Sequence, residues 1–163
     1  MATLTASNPE CVGGPIMATQ KKTVENGQSW SAGQFLNISA NLQLNECQSD
    51  DDAGTGGIKY LALTSQTDPV NTTTVVEVGI IQADHIFEGN ELDGSVTELN
   101  KGGQYAIDVT SSVVTVDVGD TTNPAVVITE IAEDFNPGDY NNSDTKAKLR
   151  FKVLPTNINA VNA

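Results

Sequence analysis

The sequence predicts an all-β fold, a small antiparallel β-barrel or sandwich preceded by an extended N-terminal arm. Short β-branched runs recur along the chain and are bounded by Gly, Pro, Asn and Asp, which is the pattern of strands separated by turns. Spacing typical of helices is nearly absent. Two phrases, at 32–36 and 102–106, each place a glycine turn and a polar residue before an aromatic residue that opens a β-patterned run.

Residues 1–29 form the predicted arm. They contain few large apolar side chains, show no steady period and are interrupted by Asn8-Pro9, Gly13-Gly14-Pro15 and Asn26-Gly27. Such a segment is expected to be disordered alone or to lie extended over another surface, belonging to a partner or to a neighbouring copy of the chain. Its apolar residues are therefore candidates for partner contact, namely Pro9, Val12, Ile16 and Met17.

The body spans residues 30–154, and residues 155–163 form a short tail. Alternation of apolar and polar residues predicts that Val114, Val116 and Val118 face inward while Thr115 and Asp117 face water. A short helical turn fits residues 131–135 or 84–88. Seven strands are predicted: 34–39, 58–65, 75–82, 104–109, 113–118, 125–131 and 147–154.

Charge and cysteine content narrow the class of protein. With 21 acidic and 8 basic residues the net charge is −13, which disfavours contact with phosphate backbones. The N-terminus lacks a signal-peptide pattern, and no apolar run approaches the ~20 residues that span a bilayer. We therefore expect a soluble product made in a cytoplasm. The only two cysteines, Cys11 and Cys47, could form a disulfide, but two reduced thiols are favoured in that compartment.

The last predicted strand carries a stripe of positive charge. Half of the Lys and Arg residues of the chain recur there at two-residue spacing and are expected on one face: Lys146, Lys148, Arg150 and Lys152. Two interpretations are open. The stripe is a solvated face or a lysine-guarded edge strand, paired with carboxylates of the chain itself, or it docks on an acidic partner surface.

The sequence carries no recognisable catalytic or cofactor motif. His85 is the only histidine, and Asp84 beside it would point to the opposite face of a strand, so a structural role is favoured. The acidic stretches 50–54 and 134–139 miss the spacing of an EF-hand loop. C-x-x-C, phosphate-binding and nucleophile-elbow motifs are absent. We therefore expect no enzymatic activity, no cofactor and no metal ion.

Four short sequence motifs follow the arm in a distinctive order. Ala32-Gly33-Gln34-Phe35 opens the first strand, Gly103-Gln104-Tyr105 a later one, residues 116–121 read Val-Asp-x-x-x-Thr, and the charged strand 148–153 closes the body. Over about residues 30–154 this order resembles the small β-rich capsid decoration (cement) proteins of tailed bacteriophages.

The resemblance implies a non-enzymatic virion protein that is made in the host cytoplasm. It would bind the outer surface of an expanded capsid and bridge neighbouring subunits of the phage major capsid protein. Neighbouring copies of the chain would associate, with a homotrimer favoured and a dimer or monomer left open. The acidic face would be exposed, and the arm or the basic stripe would face the shell. Neither nucleic acid nor a membrane is expected as a partner.

Two other functions are compatible with the same residues. A tail or head-fibre β-module of a virion would share the fold but would form an elongated homotrimer before meeting any partner. A surface module that binds calcium or carbohydrate would use its Asp and Asn loops instead.

Overall fold

A computed structural model describes residues 2–67 and 74–160 of the chain. The predicted tail at 155–163 therefore lies partly outside the described residues. Within these ranges a 3₁₀ turn spans Glu98–Asn100, and short helices span α1 (Ala132–Phe135) and α2 (Pro155–Ile158). The strands are β1 (Glu10–Gly13), β2 (Thr19–Thr23), β3 (Phe35–Ile38), β4 (Leu44–Glu46), β5 (Tyr60–Ala62), β6 (Val75–Ile80), β7 (Ile86–Asn90), β8 (Gln104–Thr110), β9 (Val113–Asp117), β10 (Val126–Ile131) and β11 (Lys148–Val153).

The strands form two antiparallel sheets that pack as a sandwich. One sheet has the order β1-β7-β11-β10-β8-β9, and the other has the order β2-β6-β5-β3-β4. The sheets are not closed into a barrel, so of the two predicted architectures the sandwich is the one observed. All seven predicted strands are confirmed, and so is the helical turn at 131–135, which is α1.

The predicted helical turn at 84–88 is wrong, because this segment enters strand β7. Gly89 and Asn90 are turn-forming residue types, yet they pair with Leu149 and Lys148 of β11. The sequence also failed to indicate β1, β2 and β4, which are short and lack β-branched runs. Propensity is a weak guide to such strands, since pairing with a stronger neighbour decides whether they form.

The core lies between the two sheets and is centred on three phenylalanines. Phe35 comes from the five-stranded sheet, whereas Phe87 and Phe151 come from the six-stranded sheet, and all three are fully buried. The Phe35 ring meets the Phe87 ring edge-on with 5.2 Å between centroids, and Phe87 stacks on Phe151 at 5.9 Å. Burying each such side chain contributes about 1.5–3 kcal/mol, so this trio is a main link between the sheets.

A second, smaller cluster covers the other face of the five-stranded sheet. Trp30 and Val24 pack there against Leu36, Leu44 and a few neighbouring side chains. The indole N–H of Trp30 donates a hydrogen bond to the Thr64 carbonyl at 3.0 Å, which satisfies its one polar atom. The end of the predicted arm is therefore folded against the body.

The predicted arm adds an edge strand to each sheet. β1 pairs with β7 and β2 pairs with β6, so residues 14–18 cross from one sheet to the other. The surface that orders these residues thus belongs to the chain's own two sheets. Asn8 fastens the start of the segment, because its side chain accepts from the Val114 amide and donates to the Ser112 carbonyl, both at 2.9 Å.

The prediction that Thr115 faces water is wrong. Thr115 points away from the core as expected, but it is only 5% exposed. Residues 3–6 and Leu92 lie near it on this side of β9. An isolated parallel bridge between Glu91 and Val116 holds the segment that contains Leu92 alongside β9.

Candidate functional site

The predicted basic stripe lies on the outer face of the six-stranded sheet, although one member is displaced. Lys148, Arg150 and Lys152 are half-buried and alternate with the buried residues Leu149 and Phe151, as the spacing predicts. Lys146 lies before β11 with a φ of +58°, which breaks the alternation. The strand is not a sheet edge, because it lies between β7 and β10; the guarded-edge interpretation is therefore wrong.

Arg150 is occupied by partners within the chain. The antiparallel register places Glu88 of β7 on one side of it and Glu130 of β10 on the other. Its guanidinium nitrogens lie 3.4 Å from Glu88 Oε2 and 3.3 Å from Glu130 Oε2. The Phe135 ring covers the guanidinium, with 4.3 Å between the guanidinium carbon and the ring centroid. Stacking on aromatic rings and donating to several acceptors at once are characteristic of arginine, and here one contact to each of two carboxylates holds Arg150 to its own sheet.

On this face of the sheet the positive charge is confined to the basic side chains themselves, because acidic side chains lie beside them. Two carboxylates flank one guanidinium, and Glu10 lies next to Glu88 in the register of β1 and β7. Lys148 and Lys152 make no ion pair with any residue between 2 and 67 or 74 and 160. These two lysines, and Lys146 before the strand, are thus the members of the stripe whose charge has no partner among the described residues.

Two of the four candidate arm residues pack against the chain itself, Pro9 buried and Met17 partly buried. Pro9 is buried and lies beside Gly89 of β7. Met17 packs over Gly79 of β6, where the absence of a side chain makes room for its thioether, and it touches the main core. Pro9 therefore has little apolar surface left for a partner, and Met17 has only part of its side chain exposed.

The other two arm candidates face solvent. Val12 is 41% exposed on β1, and Ile16 is 95% exposed in the crossover between β1 and β2. β1 and β2 stand at the ends of their sheets, so each offers one unpaired strand edge on this side. We call the surface formed by β1, residues 14–18 and β2 the crossover edge.

His85 holds the crossover to the body. Its Nδ1 accepts the backbone N–H of Gln82 at 2.9 Å, which leaves Nε2 to donate to the Pro15 carbonyl at 3.0 Å. The imidazole is fully buried and lies against the Phe87 ring. Asp84 makes no contact with it, so the histidine acts as a structural tie between β7 and the arm.

Both cysteines are free thiols, in agreement with the favoured interpretation. Cys11 is half-buried on β1, and burial raises its pKa. Cys47 is completely buried, and burial together with the charges of Asp51 and Glu46 raises its pKa well above the usual value. Thiols of this kind are inert, because the reactive species is the thiolate.

The acidic loops are held together by backbone amides. Asp51 accepts the Gln48 amide at 2.7 Å, and Asp52 accepts the Gly54 amide at 2.7 Å. Near the second loop, Asp134 accepts the Ile131 amide and pairs with Lys101. In the described part of the chain no group of three or more His, Cys, Asp or Glu side chains has an arrangement suited to a metal ion.

Sequence reasoning missed Glu88, Glu130 and Phe135, the partners of Arg150. Glu130 and Phe135 lie within predicted elements, the strand 125–131 and the helical turn 131–135, but the role of Glu88 depends on β7, which the sequence did not indicate. The large apolar pair Ile86 and Phe87 directly before Glu88 was the available signal for a strand.

Comparison with known proteins gives no relative for this chain: no family model matches it, and no curated protein matches it. Among the residues that the structure describes, no helix is long and apolar enough to cross a bilayer.

Proposed function

We propose that the chain is a non-enzymatic structural protein of a virion that binds the outer surface of a tailed-phage capsid and cements neighbouring major capsid subunits. The crossover edge is the surface that meets the shell. The order of strand phrases supports the class of protein, and the exposure of Ile16 carries the choice of surface.

Ile16 is 95% exposed in the crossover, so its side chain offers apolar area that an interface could bury. Its burial in a capsid contact would contribute about 1.5–3 kcal/mol at each site. Val12 lies four residues earlier and adds apolar area on the same segment. Since capsid sites repeat, even a modest affinity stabilises the whole shell by mass action.

The ties that hold the crossover also suit this role. His85 fixes Pro15, the residue next to Ile16, and the pairing of β1 and β2 fixes both ends of the loop. A contact residue held in place loses little conformational freedom on binding, so more of its burial energy appears as affinity.

Co-sedimentation with expanded, undecorated capsids of the phage whose genome encodes the chain tests the proposal. We expect the wild-type protein to pellet with the shells and Ile16→Ser to bind several-fold more weakly. Leu99→Ser is the matched control, because Leu99 is 91% exposed but lies in the 3₁₀ turn outside the crossover edge.

Failure of the wild-type protein to bind would remove the capsid role altogether. Equal binding by Ile16→Ser and the wild type would leave the role but move the contact to another surface. A larger loss with Leu99→Ser than with Ile16→Ser would place the contact around the 3₁₀ turn.

A further inference from the structure

A pocket of about 410 Å³ opens on the outer side of β9. Residues 3–6 form one wall, and the turn between β8 and β9 forms the opposite end. Its volume falls within the roughly 300–1,000 Å³ that is usual for small-molecule sites. We call it the β9 pocket, and it shares no residue with the crossover edge.

Thr115 contributes a hydroxyl group that has no partner. The residue lines the pocket, its Oγ1 is out of contact with solvent, and it makes no hydrogen bond with the described residues. A buried hydroxyl without a partner carries the full cost of desolvation, so native structures rarely keep one. Because Oγ1 has no hydrogen bond to break, rotation about χ1 to another staggered position can turn it toward the pocket.

Lys146 contributes the charge. It lines the same pocket, and no described residue forms an ion pair with its ammonium group. Its backbone is held at a φ of +58°, and Asn90 Nδ2 donates to its carbonyl at 2.8 Å. The displacement of Lys146 from the β11 row therefore directs it to this pocket. No carboxylate is among the lining residues, so the only formal charge there is positive.

We propose that the β9 pocket binds a small monocarboxylate with a short apolar chain. The carboxylate pairs with Lys146 and accepts a hydrogen bond from Thr115. The apolar chain lies against the hydrophobic part of the lining, which consists of Leu4, Ala6, Leu92 and Val113. This activity goes beyond the proposed capsid role and does not depend on it.

Calorimetric titration with hexanoate tests the proposal, and 1-hexanol is the matched probe without charge. We expect hexanoate to bind about tenfold more tightly than hexanol, since a charge-assisted contact distinguishes them. Lys146→Gln should lower hexanoate affinity about tenfold. Lys152→Gln removes the same charge outside the pocket and should leave the affinity unchanged.

Thr115→Val separates binding from folding, because it keeps the shape of the side chain and removes the hydroxyl group. We expect the variant to unfold at a higher temperature while it binds hexanoate more weakly. Thr129→Val is the control, since Thr129 Oγ1 donates to the Arg150 carbonyl and its loss should lower the unfolding temperature.

Three results would overturn the proposal: no saturable binding of hexanoate at millimolar concentration, equal affinity for hexanoate and hexanol, or unchanged affinity in Lys146→Gln. A lower unfolding temperature for Thr115→Val would show that the hydroxyl has a partner in the fold, and this too would contradict the assignment.

Discussion

Arg150 stacks on Phe135, with 4.3 Å between the guanidinium carbon and the ring centroid, and this contact joins the central strand of the six-stranded sheet to helix α1. The same guanidinium reaches Glu88 and Glu130 on the two neighbouring strands. A residue that appears in the sequence as one member of a basic stripe is therefore the centre of an internal network. Its neighbours Lys148 and Lys152 have no such partners among the described residues.

Arg150→Met should lower the free energy of unfolding by about 1–2 kcal/mol, because it removes the cation–π contact and leaves two glutamates facing each other across β11. Urea denaturation measures the change. Lys152→Met is the control on the same face of the same strand, and it should alter the stability by less than about 0.5 kcal/mol. Equal effects of the two substitutions would contradict the network.

The difference between the paired Arg150 and the two unpaired lysines also affects capsid binding if the outer face of β11 contributes to the contact. Affinity for undecorated shells is then expected to fall with salt concentration, and Lys148→Gln with Lys152→Gln should flatten that dependence. Arg150→Gln should leave the salt dependence nearly unchanged, because its charge is already paired. Binding of the wild-type protein that does not vary with salt would exclude both lysines from the contact.

His85→Phe should loosen the crossover edge. The substitution removes the hydrogen bonds to the Gln82 N–H and the Pro15 carbonyl, which are part-buried, at a cost of about 0.5–1.5 kcal/mol for each bond. Hydrogen exchange of the backbone amides of β1 and β2 should accelerate more than that of β8 and β9. Asp84→Asn is the control, since Asp84 is exposed and its side chain has no contact with the imidazole. Uniform acceleration across all strands would indicate general destabilisation instead.

Asp50 should be destabilising at neutral pH. Desolvation and the charges of nearby carboxylates, Asp120 above all, raise its pKa in the folded protein. A carboxyl group with a raised pKa binds its proton more readily when folded, so the penalty exists above that pKa and disappears as the pH falls through it. Asp50→Asn should therefore add a few tenths of a kcal/mol at pH 7, a small gain because solvent screens exposed charges.

Asn also tolerates the φ of +64° at position 50, so the substitution adds no backbone strain. Asp120→Asn is the comparison: hydrogen bonds led by the Thr122 amide lower the pKa of Asp120, so its loss should destabilise. Urea denaturation at pH 7 and at about pH 3, below the usual Asp pKa, measures both variants. A gain for Asp50→Asn that persists undiminished at the lower pH would contradict the electrostatic explanation.

Most of the fold could be predicted from the sequence. In strands where apolar and polar residues alternate clearly, the alternation shows which side chains are buried. The limit is visible at Gly89 and Asn90, which the sequence presents as a turn and the sheet uses as the end of β7. Turn-forming residues can pair when neighbouring strands supply the hydrogen bonds, and a single sequence does not show those neighbours. The site was less predictable, since the roles of Arg150 and Lys146 depend on the register of β7 and on one positive φ.

Gly33 and Gly102, from the two glycine-aromatic phrases, allow backbone strain to be separated from a specific contact. Both have positive φ, +88° and +77°, so an alanine at either position costs about 1 kcal/mol or more. A Cβ at Gly102 would meet no atom within 4 Å, whereas a Cβ at Gly33 would lie 2.9 Å from the Asn8 Cβ.

Gly33→Ala should therefore cost more than Gly102→Ala, because it also displaces Asn8 from the Val114 amide and the Ser112 carbonyl. Combining Gly33→Ala with Asn8→Ala should cost less than the sum of the two single changes, since the hydrogen bonds that displacement of Asn8 would break are already absent in Asn8→Ala. Thermal unfolding of the four variants measures this coupling. Strict additivity would show that Gly33 is needed for its φ alone, and that the arm does not depend on its close approach to Asn8.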